Sequence, residues 1–222
     1  VTPSEQSVVQ GALALAGMVG ADVLQRGAVK QYRQKGMEET GPAFENPGFQ
    51  QIINQYTQQT GLNPEVTQNF HPAGVSARIG NNLISLNVDK ASKFTLGHEL
   101  GHQSIEDKGG PLQWIQRHTY SGINPNVLGL ATIGVSAAVP SARRAASLAL
   151  GMNYLNNSGR IISEIEASRR GTQLLNQAGY PVSPLPGTLQ ATGYVISPAV
   201  AALGGLGAGR FLRTFVQEFG QN

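Results

Sequence analysis

Cysteine is absent from all 222 residues, which removes disulfide frameworks and thiolate metal sites together and leaves the redox compartment open. Charge is scarce as well. Only 13% of the residues are Asp, Glu, Lys or Arg, about half the ordinary share, and they balance to +3. Aromatic residues make up 6%, and the basic ones are scattered rather than striped, so no nucleic-acid partner is expected. Long hydrophobic runs are missing too. Residues 127–139 would form a helix roughly 20 Å long, against roughly 30 Å of bilayer hydrocarbon, too short to span alone.

What the chain does contain is glycine, 28 of them, and alanine, concentrated in four apolar, small-residue stretches at 8–24, 127–139, 145–155 and 195–209. Residues 1–35 read as an N-terminal apolar helix with a basic flank, in which Ala12, Ala16 and Gly20 recur four apart and Arg26, Lys30, Arg33 and Lys35 follow. Pro140 and Arg143-Arg144 separate 127–139 from 145–155, so these two read as a helical hairpin. Four such stretches in a small protein make a lipid surface an expected partner. The remainder, 36–222, is expected to be one domain, mainly α with a small β-hairpin or sheet (α+β).

Within it, 49–60 reads as a helix ending at Gly61, and the alternation of Leu83, Ser85 and Asn87 with Ile84, Leu86 and Val88 after a turn at 80–82 reads as a hairpin. Asp89 is expected to cap the next helix, which runs to about Glu106 before Gly109-Gly110-Pro111 stops it. A strand lying just before that helix could hold an extended peptide by β-addition.

That helix carries "FTLGHELGHQS", with His98, Glu99 and His102 spelling H-E-x-x-H. Residues four apart stand one turn above each other on one helix face, so two imidazoles can share one divalent ion, and nitrogen donors suit zinc. Glu99, about 100° further round, falls beside such an ion, where a carboxylate can take a proton from water and pass it to a departing amine. Chance places this pattern in roughly 0.3% of shuffled chains of the same composition, so coincidence is a poor explanation. Gly97 and Gly101 are expected to leave room beside the metal face.

A third ligand is needed. "QSIEDKGG" after His102 has no histidine. "IISEIEASRRG", 161–171, offers Glu164 with Ser168 one turn later, and Glu166 on another face; His118 is a further candidate. A carboxylate from a second helix followed by a polar residue one turn on fits Glu164 best, while a carboxylate paired with Arg169 or Arg170 would be an ordinary surface feature. For stabilising a developing oxyanion, His118, Tyr120, Tyr154 and Arg169 are candidates, and His71 reads as structural or solvent-exposed.

From about residue 69 to 211 the chain resembles the membrane-associated neutral zinc metallopeptidases of the YugP type. "NFHPAGVSARIGNNLISLNV" is similar to that family's segment ending in an irLs strand, "FTLGHELGHQS" to its H-E-x-G-H helix, "EIEASRRGTQLL" to its E-F-D-A-S-R-R-A element, and "LQATGYVISPAVAAL" to its late apolar segment. The resemblance implies a zincin-like core with the hairpin set between the two ligand helices. It also implies Zn2+ on His98, His102 and Glu164, Glu99 as catalytic base, and Ser168 where other glutamate-type peptidases carry Asp. Gln103 stands where the family usually has Ala, and the apolar segments are shorter and richer in Gly and Ser.

The expected activity is hydrolysis of peptide bonds in a peptide or protein substrate at a membrane, a bacterial cytoplasmic membrane being the first expectation; self-association is left open. The alternative is a membrane-inserting structural or delivery protein, for example a virion-associated or pore component, in which the metal helix is only a clamp.

Overall fold

A computed structural model describes residues 26–69, 76–78, 82–119, 143–183 and 185–189, together with positions 9, 20, 23 and 139. These residues form a mainly helical structure with a small sheet, an α+β arrangement. They divide into two compact units, one of 28–117 with 160–191 and one of 1–27, 118–159 and 192–222. The core and the site described below belong to the first unit. Of the expected elements, 195–209, all of 8–24 except positions 9, 20 and 23, and all but the last residue of 127–139 lie outside the described residues, and with the last of these the hairpin; so do His71 and Tyr120. No helix among the described residues is long and apolar enough to cross a membrane.

Helix α1 covers residues 26–40. Helix α2, Gly48–Thr60, buries Ile52, Ile53 and Tyr56, an i, i+1, i+4 stripe, and ends as expected at Gly61, whose N–H bonds to Thr57 O at 2.8 Å. The sheet has three strands, β1 (Glu65–Asn69), β2 (Ser76–Arg78) and β3 (Leu83–Asn87), in the order β1-β3-β2. The expected hairpin is the antiparallel pair β2–β3, with Ala77 opposite Ile84. β1 adds a parallel neighbour from Glu65↔Leu83 to Asn69↔Asn87. The strand expected to receive substrate is therefore central, paired on one side along its length and on the other at Leu83–Ser85, so its backbone groups there are already used.

Inward residues Ile84 and Leu86 of β3 join Tyr56, Phe94, Leu96, Leu100 and Leu175 in one buried cluster. Helix α3, Lys93–Lys108, lies against this core. Its cap is Ser92, whose Oγ accepts from Thr95 N at 3.2 Å, and not Asp89. The reason is local: Asn87 Oδ1 accepts from the N–H groups of Asp89 and Lys90 at 3.1 and 2.9 Å, tying 87–90 into a turn and delaying the helix. Lys93, almost wholly buried, fixes the start of α3 by donating to Thr40 O at 2.9 Å and Glu45 Oε2 at 3.0 Å beneath the Tyr180 ring.

Gly109 and Gly110 follow α3 with φ of +66° and +82°, a pair of conformations that side chains disfavour, and Pro111 then opens helix α4, Pro111–Thr119. Helix α5 runs Arg143–Gln177 and contains both the 145–155 stretch and the Glu164 segment. Gly97 and Gly101 do not border open space beside the histidines. A Cβ at Gly101 would overlap the Ala167 carbonyl, and one at Gly171 would lie 2.5 Å from Gly97 O. The glycines admit the α5 backbone itself, and this approach carries Glu164 to the histidine face.

Candidate metal centre

His98 and His102 project from α3, and Glu164 reaches them from α5. All three are buried, at 2–3% exposure. The two Nε2 atoms face each other at 3.1 Å, and Glu164 Oε2 lies 3.2 Å from His98 Nε2 and 3.5 Å from His102 Nε2. A tetrahedral ion with bonds of about 2.0–2.1 Å sets its ligand atoms about 3.3–3.4 Å apart, so this triangle has the size of three corners of such a shell. Two imidazole lone pairs pointed at one another over this distance repel unless a proton or cation lies between them, and a shared carboxylate oxygen adds the negative charge a cation would neutralise. The donor set, two imidazoles and one carboxylate, suits zinc and also other first-row divalent ions.

Each histidine is held from behind. His98 Nδ1 lies 3.0 Å from Ser168 Oγ, one turn after Glu164 on α5. His102 Nδ1 lies 3.0 Å from Gln116 Oε1 on α4. The outer oxygen of Glu164, Oε1, is 3.9 Å from Arg160 Nε. Such partners fix ring orientation and ligand basicity.

The electrostatics follow from burial and mutual contact. Burial alone would keep His102 neutral, but the hydrogen bond and charge of Glu164 outweigh it and push the imidazole up to about 9. Burial alone would raise Glu164; the hydrogen bonds and charges of His102 and His98 instead hold it well below the usual carboxylate range. Without a cation the site is thus a buried carboxylate–imidazolium pair, and a metal entering it displaces a proton. Glu99 is partly buried; desolvation raises its pKa, the two histidines pull it down, and Glu164 adds to the rise.

The structure thus brings together His98, His102 and Glu164, with Glu99 beside them. It does not bring Glu166, which faces away to Arg169 and Arg170 with N–O distances of 2.8 Å. The carboxylate paired with the two arginines is this one. Arg170 also donates to Ser104 O and Oγ at 2.7 and 3.0 Å, fastening α5 to α3. His118 is exposed, and Gln116, two residues earlier on α4, makes the contact with the histidine pair. Arg169 is largely exposed and engaged by Glu166; the Tyr154 side chain lies outside the described set.

Sequence reasoning missed Gln116, Ser163 and Arg160. The last had a signal, since it stands one turn before Glu164 on the same helix. Gln116 had none, because its role depends on where α4 packs. No protein-family model, no curated protein and no solved structure matches the chain, so the centre is read from its own geometry.

Proposed function

We propose that this protein is a zinc-dependent, membrane-associated endopeptidase with a zincin-like core. Zinc would be held by His98 Nε2, His102 Nε2 and Glu164 Oε2. The observation that carries the reading is the triangle of 3.1, 3.2 and 3.5 Å among these atoms, with Glu99 next to it on α3. Among the described residues three protein ligands converge, where a closed structural site has four, and this favours a catalytic site with an open position. When bound, zinc supplies Lewis acidity, acidifying water and polarising a carbonyl.

The chain's own groups account for the proton transfers. The Glu99 carboxylate accepts the proton of the attacking water and delivers it to the departing amine nitrogen. Partial burial makes it a stronger base than an exposed glutamate, and the neighbouring histidines limit that rise. Ser168 and Gln116 keep the two imidazole rings from turning away, and the Arg160 guanidinium lies 3.9 Å from the outer oxygen of Glu164. The four apolar stretches of the sequence support association with a membrane.

The test is digestion of a random peptide library by zinc-loaded wild type and by Glu99→Gln. Cleavage by the wild type, with the variant binding zinc but losing ~10²–10⁴-fold in rate, is the expected result. Equal turnover in the variant would refute Glu99 as base.

The deep burial of all three ligands favours one competing reading, a metal clamp joining α3 and α5 in a membrane-inserting structural or delivery protein. Leakage of vesicles that survives Glu99→Gln, with no library cleavage by wild type, would select it.

A further inference from the structure

The histidine–glutamate triangle can bind a metal only if His102 presents a bare Nε2, and an isolated imidazole prefers to carry its proton there. We propose that Gln116 is a positioning residue that holds His102 in the ligating form, an inference that rests on the metal reading above.

The orientation of the Gln116 amide is fixed by its surroundings. One end lies 3.2 Å from the His102 carbonyl and 3.5 Å from Glu106 Oε2, two groups that only accept, so this end is the NH2. The other end is therefore Oε1, which accepts from Ser163 Oγ at 3.0 Å and faces His102 Nδ1 at 3.0 Å. An amide oxygen cannot donate, so Nδ1 carries a proton in either charge state of the ring, and once an entering metal displaces the other proton the lone pair is left on Nε2, facing His98 and Glu164. Gln116 is 1% exposed, so no bulk water competes for these bonds. The two ends of one side chain thus do different work. The NH2 straps α4 to α3, and the oxygen sets the imidazole.

That division makes the two roles separable. Gln116→Met removes both ends at similar volume, whereas Gln116→Glu keeps an acceptor for Nδ1 and loses the donor to His102 O. Affinity for Zn2+ would be measured by competition with a chromophoric chelator, and the His102 ring protons of zinc-loaded, 15N-labelled protein would be observed by NMR. Gln116→Met is expected to weaken zinc binding about 10–100-fold, and Gln116→Glu to stay within a few-fold of wild type. The wild type is expected to show a slowly exchanging His102 Nδ1–H.

Equal loss in both variants would reduce Gln116 to a strap, and wild-type affinity in Gln116→Met would overturn the proposal outright. Should Gln116→Met fail to fold, the NMR signal decides alone: a proton on Nε2 in the zinc-loaded wild type would also overturn it. Folded wild type that binds no zinc would instead refute the metal reading itself, and this inference with it.

Discussion

Glu164 and His102 carry most of what is chemically unusual in this chain, because each shifts the other's proton. With His102 raised to about 9 and Glu164 held down, the metal-free pair is charged at neutral pH. For a raised histidine, the stabilisation is fully present below the unfolded value of about 6.5 and is lost as pH climbs through about 9. Metal-free protein should therefore unfold at progressively lower denaturant concentration from pH 6.5 to 9.5. Zinc binding at pH 7.5 should release about one proton from the site, measurable by calorimetry in two buffers of different ionisation enthalpy. Zero release would mean that the pair is not charged when empty. The histidines and Glu99 were readable in the sequence because a helix brings i and i+4 together without help from the rest of the fold. Glu164 was readable less directly, through its spacing from Ser168 and the likeness of its segment. Gln116 was not, since nothing in "LQWIQRH" distinguishes its second glutamine, buried under α3, from its first.

Between elements, the decisive feature is the approach of α3 to α5 at Gly97, Gly101, Ala167 and Gly171, small residues four apart on each helix. Replacing Gly101 by valine places a branched side chain against the Ala167 carbonyl, so the helices must separate. Such overpacking costs about 1–3 kcal/mol or more. The variant should lose zinc affinity along with stability, whereas Gly61→Ala, far along the chain at the end of α2, should leave zinc binding unchanged. Chelator competition on both variants checks this. α4 is tied to α3 by Gln113 Nε2 to Glu106 O at 2.8 Å, by Gln116 and by the Arg117–Glu106 pair. Zinc should accordingly slow amide exchange in Pro111–Thr119, and unchanged exchange there would uncouple α4 from the centre. The sequence shows the small residues on α3 but not their partner, so from sequence alone they read as room for the metal. Likewise β1 is hard to read from sequence because Glu65–Asn69 is mostly polar and has no fully buried residue; its place in the sheet comes from backbone pairing, from Thr67 and Asn69 side-chain bonds to β3, and from Val66 against the core.

For the molecule as a whole, His98 and His102 lie 62 or more residues from Glu164 in sequence, within one compact unit assembled from 28–117 and 160–191. A ligand that binds only this folded arrangement stabilises it by mass action, about 2.7 kcal/mol at a hundredfold excess over Kd. Chelation should therefore lower the midpoint of thermal unfolding, and Zn2+ should restore it. The proposed membrane association predicts flotation of the purified chain with anionic phospholipid vesicles; a chain left wholly at the bottom of the gradient would remove that part of the proposal. Everything else turns on one question, whether the three convergent side chains bind metal. Bound zinc should be counted per chain by mass spectrometry in folded wild type and folded Glu164→Ala. About one zinc in the wild type and a large loss in the variant are expected. Full zinc in the variant would remove Glu164 from the ligand set, and no zinc in the wild type would end the reading of this site as a metal centre.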